Sequence, residues 1–474
     1  MKKRVVILGA GVTGLSAAYR LSQSPECEVH VLEKEMEVGG LCRSFNEGEF
    51  TLDLGPHKFY SNVPGVTEAM CEVMGEEFLL RDKTQKLFMC GKYFSFPLSL
   101  TEMITRFSPL KSIKILFSFG LQAIKTRVSS QPDKTYRDFV VNKFGRALYE
   151  QIFQPMARKM FGNPEKLDRR LAEVRISSPG LVAVIKQVLF SKKVDRTVSA
   201  PEFHYPRKGF GRIPSRLMEK AKANGVHFHL GVKVTKIEQS QGRVSGVWLS
   251  SDTGKTEFIS CDQLIYTIPM QAIAELMPDL PAEVRQAARF VKFRHTVVYY
   301  FLLKAKSVLP AMWVFYPESR FRFGRLSEMT KFSPEVAPEG YTALMADFTC
   351  TGDDPEWSMN DDELGKHLLA QLKPLKLFSE DQIVKCFSKR FKNIYPVYEL
   401  GYEERVNKLR SLETSFENLY FVGRLGDFNY NNSDQCFDMG FSVANHILER
   451  GKWPKNGKRS DQKDLRSIVL WIEL

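Results

Sequence analysis

Apolar and polar positions along the 474-residue chain change their period several times, and each change predicts an element. A β-branched apolar run at residues 4–8 breaks into Gly9-Ala-Gly11-Val-Thr-Gly14, after which Leu15, Ala17, Ala18 and Leu21 recur at helical spacing. Glu28-Val-His-Val-Leu32 returns to strand character and ends on Glu33. Strand, helix and strand in that order predict the opening of a parallel, doubly wound sheet. From about 100 to 200 the pattern is mostly helical. Within it Leu110-Lys-Ser-Ile-Lys-Ile-Leu-Phe-Ser-Phe119 is both apolar and basic. Such stripes usually face the interior, which predicts a core helix with lysines at its edge, ahead of a lid or a membrane-surface contact. Further strands are predicted at Val226–Leu230, Gln263–Thr267, residues 296–303 and Leu419–Val422, with a closing helix around Phe441–Leu448.

Chain length favours two domains over one core. Hydrophobic residues at 43% and charged residues at 26% suit a soluble globular protein. The net charge of +13 points to an anionic partner, or serves solubility alone. The eight cysteines (27, 42, 71, 90, 261, 350, 386 and 436) form no CxxC pair, which predicts reduced thiols in a cytoplasmic protein, with neither a disulfide framework nor a zinc site. The apolar run after Met1-Lys-Lys-Arg is too short for a signal peptide, and no stretch approaches transmembrane length.

Gly9-x-Gly11-x-x-Gly14 gains meaning from its context. Gly9 permits a tight turn, Gly11 lets backbone approach a pyrophosphate, and Gly14 lets the helix pack on the strand. The helix then offers free N–H groups and a positive dipole end to phosphates. Glu33, at the end of the second strand, stands where a carboxylate binds a ribose hydroxyl pair and would repel a 2′-phosphate. These residues predict a dinucleotide and leave NAD and FAD both open.

Just beyond Glu33 lies Val38-Gly39-Gly40-Leu-Cys-Arg43. Glu-Lys-x(4)-Gly-Gly-x-x-Arg resembles the second FAD signature of the amine oxidase superfamily, and Phe50-Thr-Leu-Asp53-Leu-Gly55-Pro-His57-Lys-Phe59 resembles its motif beside the isoalloxazine ring. The resemblance implies FAD, with Gly39 and Gly40 against the pyrophosphate and Arg43 adding charge. The implied fold is α/β: a Rossmann-type FAD-binding domain (doubly wound parallel sheet) with a mixed helical and β-sheet substrate domain. Its segments are expected at 1–80, 201–268 and 415–450 for FAD, 81–200 for a helical cap, 269–414 for the substrate domain and 451–474 for a basic tail (Lys452, Lys455, Lys458, Arg459).

Within that superfamily most of the chain resembles UDP-galactopyranose mutase. The resemblance runs through Gly145-Arg146 to Phe161-Gly162, Gly324-Arg325-Leu-Ser-Glu328, Tyr395-Pro396-Val397 and Gly423-Arg424-Leu-Gly-Asp-Phe-Asn-Tyr430-Asn-Asn-Ser-Asp434-Gln435. It implies that Arg325 clamps a substrate diphosphate, and that Arg424, Tyr430 and Asp434, with Gly423, lie around flavin and diphosphate. A guanidinium fork matches phosphate oxygens two at a time, so Arg325 and Arg424 suit that role. Arg325 reads equally as half of an ion pair, and Tyr430 as a phosphate donor or a packing ring. His57 reads as a flavin contact or a solvent-facing turn histidine. His227 and His229 alternate on one strand without an acidic or cysteine companion, so no metal site is expected there.

The chain departs from the mutase pattern at Met156 and Phe161, where a tyrosine and a tryptophan are typical, and at Asn432, where an aspartate is typical. Glu202-Phe-His-Tyr-Pro-Arg207-x-Gly-x-Gly211 also resembles protoporphyrinogen oxidase-like enzymes. Three functions stay in play. The first is a mutase-like enzyme acting on a nucleotide-sugar in cell-surface carbohydrate synthesis, with reduced flavin as nucleophile. The second is an FAD-dependent oxidoreductase for an apolar substrate. The third is a non-catalytic FAD-binding protein. The expected partner is a small molecule, with no nucleic acid and with peripheral membrane contact as an option.

Overall fold

The computed structural model describes residues 2–96, 102, 105–128, 132–176, 202–251 and 253–449. The basic tail at 451–474 lies outside them. The predicted opening unit forms: strand β1 (Lys3–Leu8) leads into helix α1 (Val12–Ser22) and strand β2 (Cys27–Glu33). Three further strands join the same sheet, β3 (His227–Leu230), β4 (Gln263–Tyr266) and β5 (Leu419–Phe421), in the parallel order β5-β4-β1-β2-β3. Val5–Leu8 are fully or almost fully buried, as strands covered on both faces must be.

Helix α1 covers this sheet beside the last described helix, α3 (Ser433–Ile447). The two pack so closely that a Cβ on Gly440 would lie 2.3 Å from the Thr13 carbonyl oxygen, so only glycine allows the contact. A three-stranded antiparallel sheet, Val232–Ser240, Arg243–Ser251 and Thr256–Ser260, is inserted between β3 and β4.

The second large sheet has seven strands, in the order Ile383–Pro396, Phe293–Leu303, Thr342–Cys350, Arg325–Glu328, Trp313–Phe315, Gln85–Met89 and Lys92–Ser95. Phe293–Leu303 is paired on both sides, which explains its continuous apolar run. Gln85–Met89 and Lys92–Ser95 fall inside the segment 81–200 expected as a helical cap; they pair with each other, and Gln85–Met89 with Trp313–Phe315, by tertiary contact that no local period announces. The seven-stranded sheet is tied to the short strand Phe50–Asp53 through Asp53. Its carboxylate accepts from Ser44 Oγ (2.6 Å), Tyr205 OH (2.7 Å) and Phe210 N (2.9 Å), while its carbonyl accepts from Tyr300 OH at 2.7 Å.

One expectation is overturned. Helix α2 (Pro109–Val128) does not bury its apolar stripe: Leu110, Ile113, Leu116, Phe117, Leu121 and Ile124 are all exposed. The period of the stripe correctly marks an amphipathic helix, but the face turned inward is the one bearing Ser112, Ile115, Ser118 and Gln122.

Candidate functional site

The turn from β1 to α1 shows what each glycine does. Gly9 has φ +100°, and a Cβ there would sit 2.6 Å from Thr267 Oγ1. A Cβ on Gly14 would lie 2.1 Å from the Gly9 carbonyl oxygen, so the helix could not start against its own strand. Gly11 differs from both. Its φ of −74° suits any residue, and among the described residues nothing lies within 4 Å of its Cβ position. The protein itself therefore does not require glycine there. A side chain would fill the open space before the N-terminus of α1, which no described side chain caps.

A second glycine pair closes on this seat. Gly39 (φ +113°) and Gly40 (φ +54°) follow β2; Gly39 N donates to Ala10 O at 2.7 Å, and a Gly40 Cβ would touch Gly11 Cα at 3.4 Å. Glu33 reaches back to the first turn: Oε2 accepts from Ala10 N (2.8 Å) and Oε1 from Glu35 N (3.1 Å). A carboxylate has about four lone-pair sites, so acceptor capacity is left for a ribose. Arg43 borders the glycine pair, and its Nε lies 3.8 Å from Glu37 Oε2, beyond hydrogen-bond length. From the other end of the chain, Gly423 (φ +84°) brings its turn against α1, since a Cβ would meet Thr13 Oγ1 at 2.5 Å. Asp434 is buried in the first turn of α3; desolvation pushes its carboxyl up to about 6, against the pull of the Ser61 hydroxyl. Backbone amides, a helix N-terminus, an acid and an arginine thus converge at one end of the parallel sheet, the kinds of group that a dinucleotide's phosphates and ribose require.

Arg424 links this seat to a second cluster. Its guanidinium carbon lies 4.8 Å from the Tyr395 ring centre and 4.7 Å from that of Tyr430, the two rings being stacked 5.5 Å apart at 14°. Its Nε is buried with no hydrogen-bond partner, and it forms no ion pair, among the described residues. Stacking on two rings is worth roughly 0.5–2 kcal/mol per ring, which offsets part of the cost of holding a desolvated cation. Tyr430 packs edge-on against Phe161 at 5.8 Å, its hydroxyl is buried and unpartnered among the described residues, and burial pushes its pKa well above the ordinary value, keeping the hydroxyl protonated.

His57 stacks on Phe210 at 5.0 Å, and its Nδ1 is buried without a partner among the described residues. Burial pushes its imidazole down to about 4 against an opposing hydrogen bond with the Gly55 backbone, the nearby charges of Arg325 and Arg424 adding to the fall, so it is neutral at pH 7. His57 keeps some accessible surface although protein surrounds it, as a cleft wall does. Arg325 adjoins the same cluster, but its fork is engaged: Nε and Nη2 bond the two oxygens of Asp347 at 2.9 and 3.1 Å, and the pair is buried. The antiparallel register sets Arg325 directly opposite Asp347. Of the two readings open for Arg325, the ion pair is the one observed.

The sequence model of the family described as flavin containing amine oxidoreductase matches residues 12–425. The chain belongs to the flavin containing amine oxidoreductase family. It is an FAD-dependent flavoenzyme. It is 22% identical over 485 residues to the coproporphyrinogen III oxidase of Bacillus subtilis (strain 168), covering 94% of this chain and 98% of that one. Its fold is similar to that of reduced UDP-galactopyranose mutase, with a TM-score of 0.84 at 20% identity over 98% of this chain and 97% of the other. It is also similar to putrescine oxidase bound to putrescine, with a TM-score of 0.64 at 17% identity over 95% and 100%. Identities this low establish the shared fold alone.

Further residues that the sequence reading missed pack against the candidate site. Arg175, 1% exposed, lies with its guanidinium carbon 4.3 Å from the Tyr430 ring centre. Phe210 backs His57, and Asp347 holds Arg325. The histidines of β3 are also corrected. The parallel pairing of β2 with β3 sets His30 beside His227 and supplies the acidic companion Glu28, the three ligand atoms lying within 4.8 Å of one another. Those atoms already serve a ladder: His30 contacts Glu28 and His229 at 3.1 Å each, and Glu28 pairs with Arg4.

Proposed function

We propose that this flavoenzyme acts on an anionic small molecule of the nucleotide-diphosphate-sugar class. The observation that carries this reading is Arg424: a half-buried cation with a buried Nε and no ion pair among the described residues, lying against two stacked tyrosine rings and adjoining both the glycine seat and His57. A fixed guanidinium needs no reorganisation to receive a phosphate and stabilises negative charge developing on a departing diphosphate. In this reading Gly9, Gly11, Gly14, Glu33, Gly39, Gly40, Arg43, Gly423 and Asp434 would hold FAD. When bound, FAD supplies the electrons or the nucleophile. Tyr430 donates its free hydroxyl to the substrate phosphate, Arg424 neutralises that phosphate, and His57, kept neutral, offers a hydrogen bond without adding charge. Arg325, balanced by Asp347, orients rather than charges the pocket. Similarity in fold to UDP-galactopyranose mutase supports the substrate class.

A second reading is favoured by Met156 and Phe161, both buried and apolar, and by the coproporphyrinogen III oxidase relative. In it the site is walled for an oxidisable, largely apolar substrate whose carboxylates meet Arg424. Reduced enzyme mixed with UDP-galactose, and oxidised enzyme mixed with coproporphyrinogen III under oxygen, separate the two. Isomerised sugar, lost in Arg424→Ala, supports the proposal; oxygen consumption with the porphyrinogen and no sugar product overturns it.

A further inference from the structure

Helix α2 is built inside out. Toward the protein it presents one buried apolar residue, Ile115, with Ser112, 6% exposed, Ser118, whose Oγ accepts from Ala147 N at 3.0 Å, and Gln122, whose Nε2 donates to Asn142 Oδ1 at 2.8 Å. Toward solvent it presents Leu110 (82% exposed), Ile113, Leu116, Phe117 (66%), Leu121 and Ile124. These recur at helical spacing and form one stripe along about 20 Å of helix. The rotational setting is not free to invert. A Cβ on Gly145 would lie 3.0 Å from Ser118 and Phe119 backbone, so α2 is seated on this glycine, and the inward hydrogen bonds would be lost on turning.

An exposed apolar stripe of this length marks a surface that is covered in use. What covers it is indicated by charge. The helix carries Lys111, Lys114, Lys125 and Arg127 and no acidic residue, within a chain of net charge +13. Lysines beside an apolar face extend their charged ends to phosphate headgroups while their stems lie on hydrocarbon. We propose that α2 is a membrane-docking helix that lies in the plane of an anionic lipid surface with this stripe inserted. The stripe occupies one face of the helix, so the helix lies in the surface plane; among the described residues no helix is long and apolar enough to cross a membrane. The docked helix packs on Tyr136–Phe144 and Arg146–Leu148, and the chain continues through Gln154–Phe161 to Phe161 against Tyr430. Docking therefore places the helical cap of the site at the lipid surface, whichever substrate class the site takes.

The test is sedimentation of the full FAD-loaded chain with phosphatidylcholine vesicles, with and without phosphatidylglycerol. The parent should sediment with the anionic vesicles and be released by salt. Ile113→Asp combined with Phe117→Asp should weaken binding by at least about tenfold, since a charge replaces an inserted side chain at two sites. Lys111→Glu combined with Lys114→Glu should weaken anionic binding selectively. All four positions are exposed, so flavin content and turnover should match the parent. The proposal is overturned if the parent ignores both vesicle types, or if either double variant sediments as the parent does, which would assign binding to another basic segment. It is also overturned if light scattering shows a dimer that Phe117→Asp dissolves without any lipid binding, which would make the stripe an interface between copies.

Discussion

Gly11 and Gly14 stand three residues apart in one turn, yet the structure separates their roles, and alanine at each should expose the difference. At Gly14 the added methyl would begin 2.1 Å from the Gly9 carbonyl oxygen, about 1 Å inside ordinary contact. The obstacle is backbone, so the strand-to-helix turn must open, and overpacking of this kind costs roughly 1–3 kcal/mol. At Gly11 the backbone is ordinary and the Cβ position is open among the described residues. Gly→Ala at a compatible site leaves the apoprotein unchanged or about 0.4–1 kcal/mol more stable. The same methyl would stand where a pyrophosphate approaches the α1 amides. Loss of two charge-assisted hydrogen bonds at roughly 1.5–3 kcal/mol each weakens FAD binding by about 3–6 kcal/mol, or ~10²- to 10⁴-fold. Thermal unfolding of both apoproteins, and fluorescence titration of each with FAD, make the comparison. Gly14→Ala should lower Tm; Gly11→Ala should keep Tm and lose FAD. A Gly11→Ala protein that binds FAD as the parent does would refute the reasoning.

Asp347→Ala leaves the Arg325 cation buried without its partner and should destabilise the fold by about 3–5 kcal/mol in denaturant titration, far more than removal of an exposed pair would. Tyr430→Phe removes a hydroxyl that has no described partner, so Tm should change by less than about 0.5 kcal/mol equivalent, while substrate affinity falls in a binding titration. Asp434 titrates near 6 in the folded chain and near ~3.9 unfolded, so its proton stabilises the fold below about pH 4 and that stability is lost as pH rises through 6. Relative to Asp434→Asn, the parent apoprotein should therefore lose up to ~3 kcal/mol between pH 4 and pH 7, read from Tm against pH; a constant difference would show that the carboxyl is not buried as described.

The dinucleotide seat was legible in the sequence because each of its parts is local: a buried strand, a glycine turn, a helix and an acid at the next strand end. What local pattern cannot carry is pairing between distant segments. Asp347 neutralises Arg325 only through strand register, and His227 acquires Glu28 and His30 only because β3 is added beside β2. Arg175 reaches Tyr430 from a helix whose own sequence gives it no distinction. Helix α2 teaches a different lesson. Its 3.6-residue period identifies two faces but not which one the protein covers, and Ser118, Gln122 and Gly145 decided that against the usual rule. The short strands at 85–95 needed Trp313–Phe315 as a partner before they could be strands at all.

The claim on which the functional account turns is that Arg424 presents an anion site beside the flavin. A titration of the FAD-loaded protein with UDP, followed by the visible flavin spectrum, tests it most directly. The account predicts a saturable spectral perturbation in the parent and one at least about tenfold weaker in Arg424→Ala at unchanged flavin content, the loss of one charge-assisted contact. A flavin spectrum that UDP leaves untouched, or an Arg424→Ala protein that responds as the parent does, would contradict it.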